Sequence, residues 1–208
     1  MPVTVTTPSA PGLDLPEARH DGAYSLERAL SQRRSWREFS VAALRTQEVA
    51  QLAWAAQGVV TRSGFRTAPS AGALYPLELY VVAGNVEGLR PGVYRYQPSL
   101  HRLAPLAEGD HRRAIAAAAL GQDWLKQAAA ILVLAAVEQR STAKYGERGV
   151  RYAYMEAGHA AQNVLLQATA LGLGSTVVGA FSDGDLESAL ALGGDARPVC
   201  LIPVGRSR

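Results

Sequence analysis

Residues 151–181 read RYAYMEAGHAAQNVLLQATALGLGSTVVGAF. Apolar or small residues recur at 153, 157, 160, 161, 164, 165, 168 and 171, close to the 3.6-residue period of an α-helix. The opposite positions are still largely Ala, Val and Leu, which predicts a helix over 151–171 that shows little surface to water. Ala157, Gly158, Ala160 and Ala161 are small enough for another helix to approach closely. Gly172 and Gly174 stand where glycines end helices. Ser175–Val178 is a short β-branched run that predicts a buried strand, and Gly179-Ala180 breaks it. Two readings follow. The plainer one is a central core helix and its strand. The sharper one adds a corner at Gly179-Ala180 that brings bare backbone N–H groups against a flat ligand.

Working outward, 208 residues suffice for one domain or two small ones. A hydrophobic share of 48% is ample for one core, and a charged share of 19% points to surface buried in an oligomer. The net charge of +3 is mild. Arginines gather at 33, 34 and 37 and again at 206 and 208, which suits a phosphate better than the continuous basic face a nucleic acid needs. The single cysteine, Cys200, excludes an internal disulfide and a cysteine-built zinc site. It lies in an apolar run and reads as a small core residue. Residues 1–16 are rich in Thr, Pro and Ser, without the basic start and apolar stretch of a signal peptide. No window is apolar over 18 residues. The expectation is a soluble, cytoplasmic protein with neither membrane nor nucleic acid as partner.

In chain order, residues 1–21 read as a flexible arm and 22–208 as a single domain. Ser25 caps a short helix to Gln32. Thr46 caps a second, with Val49, Leu52, Ala53 and Ala56 on one face and Gly58 at its end. Val59–Phe65 is a loop, and TAPSAGALYP at 67–76 has the small residues of a tight turn around something. Leu77–Ala83 is a strand, and Val93–Gln97 with His101–Leu103 a hairpin. Asp110 caps a helix to Gly121. Ala129–Val137 is nearly all apolar, a strand buried on both faces. Arg140–Val150 reads as a loop or frayed helix start. Asp183 caps Leu186–Leu192, Pro198–Val204 is the last strand, and residues 205–208 form a basic tail. Strands and helices intersperse without repeating βαβ units, so the fold class is α+β, a mixed sheet flanked by helices.

Several motifs fail on context. Gly172-Leu-Gly174 closes a helix, whereas a dinucleotide fingerprint opens one. Gly174–Gly179 has a P-loop's glycine spacing, but Ala180 stands where the lysine must be. Glu156-x-x-His159 matches one half of a di-iron motif, and its only other copy, Glu17-x-x-His20, lies in the Pro-rich arm, so no metal is expected. No G-x-S-x-G elbow is present.

Three pieces in order resemble one family. RRSWREF at 33–39 resembles the N-terminal arginine-serine signature of the FMN-dependent nitroreductases. TAPSAGALYPLELYVV resembles their Pro-Ser turn and following strand, and GHAAQNVLLQATALGLGSTVVGAF their central helix and flavin-facing corner. The resemblance runs from about Ser25 to Arg208. Within the family, PSAGALYPLELY and GVYRYQPSLHRL resemble the streptolysin-type branch, which includes azoline dehydrogenases acting on ribosomally made peptides. That branch carries an adjacent Lys-Tyr pair before the central helix, and Lys144-Tyr145 stands at the matching place.

The resemblance implies a nitroreductase-like fold, a domain-sharing homodimer with two FMN sites at its two-fold interface, and a set of site residues. Arg33 and Arg37, with Arg206 and Arg208, would hold the phosphate through charge-assisted hydrogen bonds; the plainer reading of Arg33, Arg34 and Arg37 is a solvated surface cluster. Arg34 and Ser35 would reach the pyrimidine edge or the ribityl hydroxyls, with Gln122 a further candidate for the pyrimidine. Pro69, Ser70 and Ala71 would come from the partner chain and pack on the ring. Ala180, or Gly179 beside it, would donate its N–H to flavin N5. The family often has an acidic or polar residue at 179, and glycine there leaves that face open. Lys144 and Tyr145 are the candidate catalytic pair for proton abstraction, each a poor base at neutral pH unless its surroundings lower it; the plainer reading makes them loop residues. Three functions remain: an azoline dehydrogenase working beside a cyclodehydratase complex, an NAD(P)H-dependent nitroreductase or quinone reductase, and a flavin-binding protein without turnover.

Overall fold

Ala130–Ala136 reads AILVLAA, and all seven of its residues are buried. Around it a computed structural model describes residues 12–207. Arg208 and residues 1–11 of the expected arm lie outside the described residues. The elements in order are β1 (Leu13–Asp14), α1 (Leu26–Gln32), β2 (Leu44–Arg45), α2 (Thr46–Gln57), β3 (Leu77–Ala83), β4 (Val86–Glu87), β5 (Gly92–Gln97), β6 (Arg102–Glu108), α3 (Arg112–Ala118), β7 (Ala130–Ala136), α4 (Gln139–Tyr145), α5 (Arg148–Ala170), β8 (Gly174–Ser175), α6 (Asp183–Ala189) and β9 (Arg197–Gly205). Single 3-10 turns occur at Ala71–Ala73 and Asp123–Gln127.

The main sheet has seven strands in the order β1-β6-β5-β3-β7-β9-β8, every neighbouring pair antiparallel. Alternation along β7 divides the core. Ala130, Leu132, Leu134 and Ala136 pack with α2 and α5 residues, including Leu52, Ala53, Ala157 and Val164. Ile131, Val133 and Ala135 pack with Ile115 of α3, Leu125 and Leu186 of α6. A strand covered on both faces must be apolar at every position, which is why this run contains no polar residue. The α+β expectation and the two-sided burial of β7 hold.

Helix α5 lies on the first face through Ala153, Ala157, Ala160, Ala161, Val164, Leu165 and Ala168. The expectation that little of it meets water fails within the chain. Tyr154 and Met155 are 53% and 55% exposed, and Arg151, Gly158 and His159 are exposed beside them. Ala157, Ala160 and Ala161 close on the core of their own chain, so only Gly158 of the four small residues faces out.

Other boundaries differ for local reasons. Leu13 pairs with Leu103 and Leu15 N–H donates to His101 O at 3.1 Å, so the described end of the expected arm is an edge strand. The hairpin extends over β5 and β6; Pro105 inside β6 hides that strand's signal. The N-cap of α2 is Arg45, whose backbone N–H donates to Glu48 Oε2 at 2.8 Å, while the Thr46 hydroxyl donates to Glu87 O. Ser182 precedes α6 in place of Asp183. α3 starts one residue after His111 and ends at Ala118, short of Gly121. The run over 140–150 is largely helical: α4 ends at Gly146, whose φ of 58° suits glycine. With only Ser141 buried in α4, no apolar stripe announces it. Val178 pairs with Leu201 in the register that sets Ser175 opposite Val204, so the expected strand over 175–178 forms as one interrupted edge strand.

A Cβ on Gly149, in the first turn of α5, would lie 2.6 Å from the backbone of Ser141 and Thr142. Gly149→Ala should therefore destabilise the protein by about 1–3 kcal/mol, where the same change in an open helix gains about 1 kcal/mol. Urea unfolding measures this; a midpoint at or above wild type would contradict the α4–α5 packing.

Candidate functional site

Gly174 and Gly205 face each other across β8 and β9, and the segment after α1 lies over them. Trp36 N–H donates to Ser175 O at 3.0 Å and Ser40 N–H to Arg206 O at 2.9 Å; Ser35 bridges to Ser175 and Phe39 to Ser207. A Cβ on Gly174 would come 3.0 Å from Trp36 Cβ, and one on Gly205 2.9 Å from Phe39 Cδ1. Glycine at both positions is what lets RRSWREF lie beside the end of β9, bringing it alongside Arg206.

The arginines there are not equivalent. Arg34 Nη1 donates to Ser31 O at 2.9 Å and Arg33 O at 2.8 Å, turned back onto the end of α1. Arg206 Nη2 donates to Glu48 Oε2 at 2.9 Å, and Arg45 Nη2 reaches Glu48 Oε1 at 3.0 Å. Glu48 is 2% exposed. Burial alone would push its carboxyl up, but the Arg45 N–H and guanidinium together with Arg206 outweigh this and hold it below its ordinary value.

Further along the edge strand, Val178 and Leu201 exchange N–H···O bonds of 2.8 and 2.9 Å. Gly179 and Ala180 then turn outward, both exposed. Gln122 Nε2 donates to Ala119 O at 2.9 Å and Ala180 O at 3.1 Å, and Ser182 N–H to Ala118 O at 2.8 Å, so the corner is held from α3. A Cβ on Gly179 would meet nothing within 4 Å. Gln122 and Ala180 thus come together as neighbours, through the Ala180 carbonyl.

A second group forms around the turn at 69–76. Tyr75 N–H donates to Ser70 Oγ at 2.8 Å, Ala71 N–H to Glu156 Oε1 at 2.9 Å, and Asn163 Nδ2 to Thr67 O at 3.3 Å. Arg140 Nη1 donates to Tyr75 O at 3.1 Å, and the Arg66 guanidinium lies 4.3 Å from the centroid of the Tyr75 ring. Gly72, Ala73 and Tyr75 have φ of 63°, 55° and 47°, a left-handed path that surrounding contacts must enforce on the two non-glycines. A Cβ on Gly72 would stand 2.7 Å from Tyr145 Oη and 3.0 Å from Lys144 Nζ. Lys144 and Tyr145 therefore pack on this turn from the last turn of α4. The Lys144 ammonium is 5.3 Å from the Tyr145 ring centroid, and Tyr152 meets Tyr145 edge-on at 5.2 Å.

The sequence reading missed four residues that hold these groups: Glu48, Arg66, Arg140 and Glu156. Glu156 had stood out only as half of a failed metal motif. A cleft of about 720 Å³ lies elsewhere, between residues 19–29, α2 and the second half of α5, beside the stacked rings of His20 and Trp54. None of the expected site residues lines it.

Residues 30–206 match the model of the nitroreductase family. The chain belongs to the nitroreductase family. A candidate nitroreductase of Methanocaldococcus jannaschii is 44% identical over 181 residues, 87% of this chain and 90% of that one. The microcin B17-processing protein McbC of Escherichia coli is 31% identical over 132 residues, 61% of this chain and 48% of McbC. Among solved structures, a candidate nitroreductase of Ralstonia eutropha superposes with a TM-score of 0.84 at 29% identity, covering 100% of this chain and 95% of that one. A chain of the E. coli microcin synthetase McbBCD complex with truncated pro-MccB17 bound superposes with a TM-score of 0.76 at 25% identity, covering 97% of this chain and 79% of that one. This nitroreductase-family protein is an oxidoreductase, and among its described residues no helix is long and apolar enough to cross a membrane.

Glu48→Gln should cost about 1.5–3 kcal/mol at neutral pH, the worth of hydrogen bonds to a charged group. The wild-type carboxyl titrates below its ordinary 4.5, so its contribution is present above that value and lost as pH falls through the lowered one. Urea unfolding of both proteins at neutral and acid pH should show the gap closing in acid. A gap independent of pH would mean that Glu48 is not ionised in the folded protein.

Proposed function

We propose that this protein is an FMN-dependent dehydrogenase that oxidises azoline rings, thiazolines or oxazolines, in a ribosomally made peptide. The observation that carries the reading is Lys144-Tyr145 packed against Gly72 of the Pro-Ser turn. A base pair and a flavin-facing turn are in contact, although about 70 residues separate them in sequence. The likeness to McbC, a microcin-processing protein, and to a chain of the McbBCD complex supports a peptide substrate and a cyclodehydratase complex as partner.

The residues present fit FMN. Arg33 and Arg37 with Arg206 would take its phosphate, Ser35 and Arg34 its ribityl or pyrimidine groups, and the exposed backbone of Gly179-Ala180 would face the ring edge, with open space around Gly179. Arg206 shares its charge with Glu48, so Arg33 and Arg37 carry most of the phosphate. The Pro69–Ala71 turn and Lys144-Tyr145 sit on a different part of the chain, tied to Glu156 of α5. A homodimer in which the exposed Tyr154, Met155 and Gly158 face of α5 meets its copy would set one chain's turn, and its Lys144-Tyr145 with it, against the other chain's Gly179-Ala180 corner. In that arrangement Lys144 Nζ or Tyr145 Oη removes the proton from the azoline ring carbon next to the carbonyl. FMN, when bound, supplies the acceptor for the hydride that completes the oxidation.

A second reading, an NAD(P)H-dependent nitroreductase, is favoured by the 44% identity to a candidate nitroreductase. NAD(P)H consumption with a nitroaromatic, against oxidation of an azoline peptide, separates the two.

Two outcomes test the assignment. Arg33→Ala should weaken FMN retention by about 1.5–3 kcal/mol, the scale of a charge-assisted hydrogen bond, measured by equilibrium dialysis at low salt; wild-type retention would misplace the phosphate. Lys144→Ala and Tyr145→Phe should keep their flavin while azoline turnover falls by about 10²–10⁴, the usual worth of a general base. A double variant that oxidises the peptide at the wild-type rate would remove the pair from the chemistry.

A further inference from the structure

Two residues one turn apart on α5 hold the two halves of the turn group. Tyr152 meets the Tyr145 ring edge-on. Glu156, four residues on and so on the same helix face, accepts the Ala71 N–H at 2.9 Å, next to Ser70. Ser70 Oγ in turn accepts the Tyr75 N–H at 2.8 Å. Adjacent residues of the turn are thus held at both ends, Ser70 by the left-handed residue Tyr75 and Ala71 by a carboxylate in the core.

Glu156 is 5% exposed and its partners are neutral. His159 and Arg66 act on it through space, and burial still pushes its carboxyl above the ordinary value. Burying a carboxylate without a bonded cation is unfavourable, and packing α5 onto the sheet needs only an apolar side chain here, as at Ala153, Ala157 and Ala160. What the carboxyl provides, and an apolar side chain would not, is an acceptor for the Ala71 N–H of the turn.

We propose that Glu156 is a positioning residue for the dehydrogenation, fixing the Pro69–Ala71 turn relative to Lys144-Tyr145 so that ring contact and base act on the same substrate. This rests on the function proposed above. Glu156 itself touches neither substrate nor flavin; it sets where Ser70, Ala71 and, through Gly72, the Lys144-Tyr145 pair stand.

The test compares Glu156→Ala and Glu156→Gln with wild type as the FMN-loaded full chain, and with Gln51→Ala as control. Gln51 bonds Gln167 and Arg19, away from the turn. Amide hydrogen exchange at Ala71, FMN content, the visible flavin spectrum, and kcat and KM for an azoline peptide are measured. In Glu156→Ala, Ala71 should exchange at least about tenfold faster, FMN content should stay, the flavin spectrum should shift, and kcat should fall by about 10–100-fold with KM changed much less, as misplacement of reacting groups predicts. Glu156→Gln keeps an acceptor for Ala71 but places an amide NH2 where the second carboxyl oxygen stood, and should fall between. Gln51→Ala should match wild type in all of these. Faster Ala71 exchange with wild-type kcat and flavin spectrum overturns the proposal. If Glu156→Ala does not fold, wild-type kcat in Glu156→Gln overturns it equally. A wild-type protein that takes up no FMN, or leaves the azoline peptide untouched, defeats the functional reading itself and is recognised before any variant is compared.

Discussion

The packing of α5 against the sheet through alanines is the contact from which the candidate site follows. Ala153, Ala157, Ala160 and Ala168 bring the helix close to β7 and β9, and closeness lets polar side chains at the margin of that stripe reach neighbouring backbone and side chains. Glu156 reaches Ala71, Asn163 reaches Thr67, and Gln167 accepts from Gln51. Their spacing of seven and then four residues keeps all three on one face. A helix packed through leucines would stand farther off, and these bonds would lengthen beyond use. The apolar stripe thus decides the path of a turn that has no hydrophobic reason of its own to adopt left-handed backbone.

The candidate site residues fall in two separate groups on one chain, on either side of the outer face of the same helix. Segment 33–40, β8 and the end of β9 assemble the arginines and the Gly179-Ala180 corner. The 69–76 turn, α4 and the first half of α5 assemble Lys144, Tyr145 and Ser70. Each group is internally well bonded, and no hydrogen bond or ion pair among the described residues joins them directly. The apolar residues Tyr154 and Met155 stand exposed on α5, where a monomeric protein gains nothing from them. The homodimer proposed above, formed through that face, would account for both facts at once.

Much of this was legible in the sequence. β3 matched its expected bounds of Leu77–Ala83, because its apolar run ends at Gly84 and begins after Pro76. β7 and α5 were legible because both have long, unbroken patterns. α4 was not: QRSTAKY buries only Ser141, and a helix held by a glycine-mediated contact to its neighbour leaves no periodic trace. Arginine and small-residue motifs drew attention in the sequence as site candidates, while Glu48, Arg66, Arg140 and Glu156, which hold those candidates in place, did not. Their role lies in contacts across the fold, such as the 85 residues between Ala71 and Glu156, which no local spacing records.

The two buried carboxylates show how the same residue type is turned to different ends. Glu48 is flanked by two bonded guanidinium groups, and its carboxyl is held below the ordinary range. Removing its charge would leave Arg45 and Arg206 to repel each other, so its ionisation stabilises the fold. Glu156 has neutral partners, and its carboxyl is pushed up. Folding therefore favours its protonated form, and stability contributed by that site declines as pH rises through the raised value. A buried carboxyl with no bonded cation, whose Oε1 accepts from a strained turn, fits the positioning role proposed above better than a gain in stability. The strain at Ala73 and Tyr75 and the unfavourable burial at Glu156 fall on the same turn, where the Lys144-Tyr145 pair packs against Gly72.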